Sequence, residues 1–187
     1  MSYINDITNY VPKNEQEAQD KKVIMDYQKL FPHNILLRDN EIAHIASSGF
    51  IVNKNIDKTL MVYHNILDKW AWTGGHADGH ENLLDVAIKE ATEETGVSVE
   101  PLSGKIASID ILIVPGHMKR GRYVNSHLHL DVAYVLVADE NETPSIKPDE
   151  NSAIKWFPVE MITEELFGSR DVYLYTKLLK HAMMEVE

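Results

Sequence analysis

Residues 74–97 read GGHADGHENLLDVAIKEATEETGV: two glycines at the head, another near the end at Gly96, and carboxylates at Asp78, Glu81, Asp85, Glu90, Glu93 and Glu94. From residue 82 to 95 the spacing predicts a helix that stops at Gly96, a residue suited to the left-handed backbone that ends many helices. At about 100° per residue, Glu90, Glu93 and Glu94 share one face, while Leu84, Ile88, Ala91 and Thr95 fall roughly on another. Carboxylates three and four residues apart destabilise an isolated helix. Glu93 and Glu94 also lie near its C-terminus, where the helix dipole disfavours anions. A solvated acidic face is the plain reading of such a helix. Two local rules broken together call for a compensating partner, either a Lys or Arg or a hard divalent cation that takes oxygen ligands. Gly74-Gly75 ahead of the helix would let backbone come close to a ligand or to Glu81.

The segments on either side suggest where this helix sits. AHIASSGFIVN (43–53) reads as a strand, followed by a polar turn and TLMVYHN (59–65) as the second arm of a hairpin. HLHLDVAYVLVAD (127–139) is the clearest strand, with Leu128, Leu130, Val132, Tyr134 and Leu136 alternating against His129, Asp131, Ala133 and Val135. Residues 97–118 contain one or two strands broken at Pro115-Gly116, and AIKWFPV after a polar loop is a short strand. Residues 14–31 read as a helix with Ala18, Met25, Val23, Tyr27 and Leu30 at roughly helical spacing and Pro32 as its stop, and residues 159–187 read as two further helices. The order places helices around a run of strands, the pattern of an α+β fold with a mixed sheet. One domain at 41–187 with an N-terminal helical extension at 1–40 is the expected organisation.

Composition narrows the function classes. The chain has 187 residues, 44% of them hydrophobic, a net charge of -11 and no cysteine. The acidic balance argues against nonspecific binding to nucleic acid or to an anionic membrane, yet a small phosphorylated ligand is compatible with it when a bound cation inverts the local charge. No cysteine means no disulfide, no thiolate zinc site and no cysteine nucleophile. The first 22 residues carry no apolar signal core and no run reaches membrane-spanning length, so a cytoplasmic protein is the expectation.

The glycine–glutamate spacing resembles the signature of the Nudix hydrolases: G, five residues, E, seven residues, R-E, an aliphatic residue, any residue, E-E, any residue, G, an aliphatic residue. The matching positions are Gly75, Glu81, Lys89-Glu90, Ala91, Thr92, Glu93-Glu94, Thr95, Gly96 and Val97, with Lys89 in place of the arginine. The resemblance implies an α/β/α sandwich with a mixed sheet. It also implies hydrolysis of a diphosphate linked to a nucleoside, dependent on Mg2+ or Mn2+. It implies Glu90, Glu93 and Glu94 as metal ligands, the Gly75 carbonyl as a further ligand, and Glu81 as a supporting acid. Glu93 is the carboxylate suited to orient or deprotonate the attacking water. Lys89 keeps the charge of the family arginine but loses its planar fork. Glu150 matches a loop glutamate that in similar proteins adds a metal ligand or general base. The resemblance leaves oligomeric state open, with a homodimer as the assembly it suggests. It also leaves a second reading, a silent module that binds a nucleotide or sugar nucleotide without turnover. Isomerase chemistry on isoprenoid diphosphates is disfavoured, because those relatives use an active-site cysteine.

Several residues outside the motif are candidates for the substrate side. His127 and His129 point to one face of their strand, and with Asp131 they form an H-x-H-x-D face. That face suits a cleft wall; a zinc site would need further convergent ligands. Arg120 and Arg122, in the dense basic cluster 119–122, are placed as a phosphate clamp in a loop between strands. Trp72 is the tryptophan placed to stack on a base, against the more frequent use of Trp in packing. His76 and His80 read as loop histidines in solvent.

Overall fold

The computed structural model describes residues 2–119 and 121–186. Two long strands form its centre: β1 (Ala43–Asn53) and β9 (His127–Ala138) run parallel along their whole length, from Ala43 opposite Leu128 to Asn53 opposite Ala138. Every other pairing in this sheet is antiparallel. The second half of β1 meets β2 (Lys58–His64), its first half meets β4 (Thr73–His76), and β3 (Lys69–Ala71) and β10 (Asn151–Pro158) add to β2. β5 (Val99–Pro101) and β6 (Ser108–Val114) flank β9. The sheet is therefore mixed, and the fold is α+β. A separate hairpin, β7 (His117–Lys119) with β8 (Arg122–Val124), occupies the stretch expected as a plain loop; Arg120 lies outside the described residues.

Alternation along the central strands builds two cores. Leu130, Val132, Tyr134 and Leu136 of β9 join Ile45 and Ile51 of β1 beneath α1 (Tyr3–Asn9), α2 (Glu15–Leu30) and α3 (Leu83–Thr95). Ala133 and Val135 point the other way and pack with Phe50, Val52 and the residues Tyr175, Leu178 and Ala182 of α5 (Ser169–Val186). Burial on both faces follows from parallel pairing at the middle of a sheet covered by helices on each side. Between β10 and α5 lie a 3-10 turn, Val159–Met161, and the short α4 (Glu164–Phe167). Among the described residues no helix is long and apolar enough to cross a membrane.

The helix at 82–95 forms as its sequence suggests. Asn82 caps it, accepting from Asp85 N–H, and Gly96 closes it at φ 69° with its N–H on the Thr92 carbonyl. A Cβ at Gly96 would strike the Ser145 side chain as well as strain the left-handed backbone. Its inward face differs from the expected one. Leu83, Val86, Ala87, Ala91, Glu94 and Thr95 are buried, while Leu84 and Ile88 are only partly covered. The buried stripe thus includes a glutamate.

The second helix shows a larger departure. α2 spans nearly the expected residues, but Ala18, Val23 and Leu30 are exposed and the buried positions are Glu17 and Ile24. The reason is a buried ion cluster. Lys177 of α5 lies 3.0 Å from Glu17 and 2.7 Å from Asp110 of β6. Glu17 also accepts from the Tyr10 hydroxyl at 2.7 Å and from the Lys13 N–H at 2.8 Å. A charge partner 160 residues away turns the helix, and hydrophobic spacing carries no trace of it.

Candidate active site

Pairing of β4 with β1 sets Gly75 opposite Ser47 and Gly74 opposite Ser48. Ser47 hydroxyl donates to the Leu83 carbonyl at the start of α3, which ties strand to helix. Gly75 then faces Glu90: a Cβ there would lie 2.5 Å from Glu90 Cδ and 2.7 Å from Cγ, so only glycine lets this carboxylate stand against the strand. Gly75→Ala should push Glu90 aside and lower turnover by roughly tenfold or more, because small misplacements of reacting groups are costly. Thermal melting should change far less than the rate. A rate equal to the unaltered protein's would show that Glu90 does not act from this position.

Three carboxylates converge here. Oxygen atoms of Glu90, Glu94 and Glu150 all lie within 4.8 Å of one another. Glu94 is 4% exposed and accepts from Gly74 N–H at 3.0 Å. Burial pushes its carboxyl up to about 8, against the Gly74 hydrogen bond and with the help of Glu150 and Glu90. Burial raises Glu90 as well, with Glu93 and Glu150 adding to it and Lys89 and Lys147 opposing. Glu150 reaches the group from the turn after Lys147, whose carbonyl accepts the Glu150 N–H. Asn151 anchors that turn by donating its side-chain amide to the Glu94 carbonyl at 2.8 Å.

Glu93 is different. Its side chain is 43% exposed and turns to Lys147 Nζ at 3.2 Å, whose hydrogen bond holds its carboxyl below the usual range. Lys147 also meets Glu150 at 3.1 Å. Burial alone would lower the lysine, but its bonds to Glu150 and Glu93 raise it, so it stays charged. Lys89 is looser, 3.8 Å from Glu90 and 3.7 Å from Glu93, with 63% of its side chain in solvent. Reading the sequence missed Lys147; its place three residues before Glu150 in a turn was the available signal. Glu81 and His80 are exposed in the loop before α3, and Asp78 is held by Arg38 through two bonds of 2.8 and 2.6 Å.

The carboxylates line a cavity of about 620 Å³ whose far wall is the sheet face carrying His127 and His129. His44 of β1 and His76 of β4 complete that wall; His76 is partly buried in a strand, not a solvent-exposed loop histidine. Trp72 also lines the cavity, where its ring packs at 5.8 Å from Tyr175 and its backbone N–H donates to the Tyr175 hydroxyl. Trp70 packs edge-on to Phe157, and Trp156 sits against the core under α1–α3. Arg122 is exposed on β8 and borders a shallower depression with Arg38 and Lys119 beside the main cavity.

A family model described as the NUDIX domain matches residues 43–178. The chain is 28% identical over 141 residues to a probable DHNTP pyrophosphohydrolase of Lactococcus lactis subsp. cremoris, covering 74% of this chain and 80% of that one. It is 30% identical over 132 residues to the m7GpppN-mRNA hydrolase NUDT17 of Xenopus laevis, covering 64% of this chain and 42% of that one. Among solved structures, a C. elegans Ap4A hydrolase binary complex superposes with a TM-score of 0.52 at 16% identity, over 78% of this chain and 97% of that one, a likeness of fold. The match of the domain model across β1 to α5, the spaced glycine and glutamates, and the shared fold agree: this chain belongs to the Nudix hydrolase family.

Proposed function

We propose that the protein hydrolyses the diphosphate linkage of a small nucleoside diphosphate derivative, using a divalent cation, Mg2+ or Mn2+. The observation that carries this reading is the convergence of Glu90, Glu94 and Glu150, three oxygen donors with one of them buried and pushed to about 8. Carboxylates packed this closely repel unless protons or a cation neutralise them, and an all-oxygen donor set suits a hard cation. Glu90, Glu94 and Glu150 would hold it, with the Gly75 carbonyl beside them and Glu93 at the solvent side. Such an ion, when bound, neutralises diphosphate charge and lowers the pKa of a bound water. Glu93, held below the usual carboxylate range by Lys147, would accept the proton of the attacking water. Lys89 adds positive charge near Glu90 and Glu93. Trp72 offers a ring at the cavity wall, and Arg122 with Lys119 and Arg38 offers cations at its rim.

The names of the relatives support a phosphoanhydride bond: one is called a pyrophosphohydrolase, and a fold neighbour is an Ap4A hydrolase. The charge of -11 favours a short substrate over a long polyanion. The test is a hydrolysis screen over nucleoside triphosphates, dihydroneopterin triphosphate, ADP-ribose, sugar nucleotides and dinucleoside polyphosphates, with Mg2+ and then with a chelator. Release of a nucleotide or pyrophosphate that stops on chelation is expected. Silence across the panel, with nucleotide binding retained, would replace the enzyme by the sensor.

A further inference from the structure

The sheet brings four histidines to one point. Residues directly opposite one another in paired strands share a face, as do residues two apart. His44 lies opposite His129, Ala46 lies opposite both Asp131 and His76, and His127 precedes His129 by two. His44, His76, His127 and His129 therefore stand on the same face of three adjacent strands. One ring nitrogen from each lies within 4.8 Å of the others.

Four imidazoles are a poor way to fill a wall, since a neutral ring carries a lone pair that needs a donor. Their hydrogen bonds show which way those lone pairs face. His44 Nδ1 lies 2.9 Å from the Asn40 carbonyl, and His127 Nδ1 lies 2.9 Å from the Asn125 carbonyl. A carbonyl only accepts, so both Nδ1 atoms carry the proton and both Nε2 atoms present a bare lone pair. A backbone carbonyl on the other ring nitrogen is the arrangement that orients metal-binding histidines. His44 is 4% exposed, and its Nε2 is buried with no hydrogen-bond partner among the described residues. His127 Nε2 and His129 Nε2 are 3.3 Å apart. Metal–nitrogen bonds of about 2.0–2.1 Å at a tetrahedral angle separate ligand nitrogens by about 3.3 Å.

We propose that His44, His76, His127 and His129 form a metal centre of their own, taking a borderline divalent ion of the zinc class and separate from the carboxylate group. Nitrogen donors without a carboxylate select zinc, nickel or copper over magnesium. Two of the rings are also in the state that ligation needs. Burial, then the neighbouring histidines, drives His129 down to about 2 and His76 to about 3, so both are neutral. A phosphate would call for charged imidazolium donors, which His76 and His129 do not supply at neutral pH. An ion here would add positive charge to the cavity that also holds Glu90, Glu94 and Glu150. The inference does not rest on the hydrolytic reading.

The experiment is a titration of the untagged, chelator-stripped full chain with Co2+ alone, followed by visible absorption, and then displacement by Zn2+. One Co2+ per chain that gives the intense bands of tetrahedral nitrogen ligation is expected, resisting millimolar Mg2+ and lost on adding Zn2+, whereas Co2+ on the carboxylates would give weak bands and yield to Mg2+. His127→Ala with His129→Ala should weaken Co2+ binding by at least about 100-fold, beyond the usual effect of removing a supporting group. His76→Gln is the milder variant, should the double change unfold the chain, and should weaken binding in the same direction. Glu94→Gln should leave the cobalt spectrum intact. Absence of binding, weak octahedral bands displaced by Mg2+ with no tetrahedral bands, or a tetrahedral spectrum lost in Glu94→Gln and kept in the histidine variants would each overturn the proposal.

Discussion

Glu94→Gln is expected to cut metal-dependent turnover by at least about 1,000-fold, the several kcal/mol that a bound cation contributes at about 1.4 kcal/mol per decade. Folding should survive. The glutamine oxygen can still accept the Gly74 N–H that Glu94 accepts at 3.0 Å, and its amide can donate toward the neighbouring carboxylates. Glutamine mimics the protonated glutamate that burial favours. That gives a signed pH effect. The Glu94 carboxyl rises from 4.5 unfolded to about 8 folded, so between these values the folded chain binds the extra proton and stability falls as pH rises. Without added metal, the unaltered protein should therefore lose stability from about pH 5 to pH 8 relative to Glu94→Gln, read by thermal melting at each pH. Added Mg2+ should raise the melting temperature of the unaltered protein and have little effect on the variant. Full activity in Glu94→Gln would remove Glu94 from the site.

Lys177→Met should produce the largest loss of stability. The lysine is 9% exposed and bridges Glu17, which is fully buried, and Asp110, which is nearly so. Methionine preserves the length of the side chain but leaves two buried carboxylates without their cation. Breaking a buried pair in this way costs about 3–5 kcal/mol, which for a chain of this size lowers the melting temperature by on the order of 10 °C. Adding Glu17→Gln to Lys177→Met should recover part of the loss, since one uncompensated charge is then removed. Equal melting of Lys177→Met and the unaltered protein would show that the cluster stays hydrated and does not hold α2 in place.

Much of this architecture was legible from residue order. Strands at 43–53 and 127–138 announce themselves by β-branched residues and alternation, and the helix after Gly75 by its spacing and Gly96 stop. Local chemistry decides those elements, so local reading finds them. β3 and β4 were hidden because three- and four-residue strands exist only through the partners that hold them. The buried faces of α2 and α3 were misjudged for a related reason. Hydrophobic spacing treats Glu17 and Glu94 as outward positions, whereas one is neutralised by a distant lysine and the other is drawn inward against Gly74.

The order of residues by itself determined the glycine–glutamate spacing, the family to which the chain belongs and the helix that carries Glu90, Glu93 and Glu94. Only the tertiary structure decided that Glu150 joins Glu90 and Glu94 while Glu93 turns to Lys147, and that His44 and His76 meet His127 and His129. The motif is contiguous, so its geometry follows from the helical repeat. The two clusters draw on segments up to 85 residues apart: the histidines meet through the parallel register of β1 with β9 and the antiparallel register of β1 with β4, and Glu150 reaches α3 through the pairing of β10 with β2 and the Asn151 bond to the Glu94 carbonyl, none of which a local preference encodes.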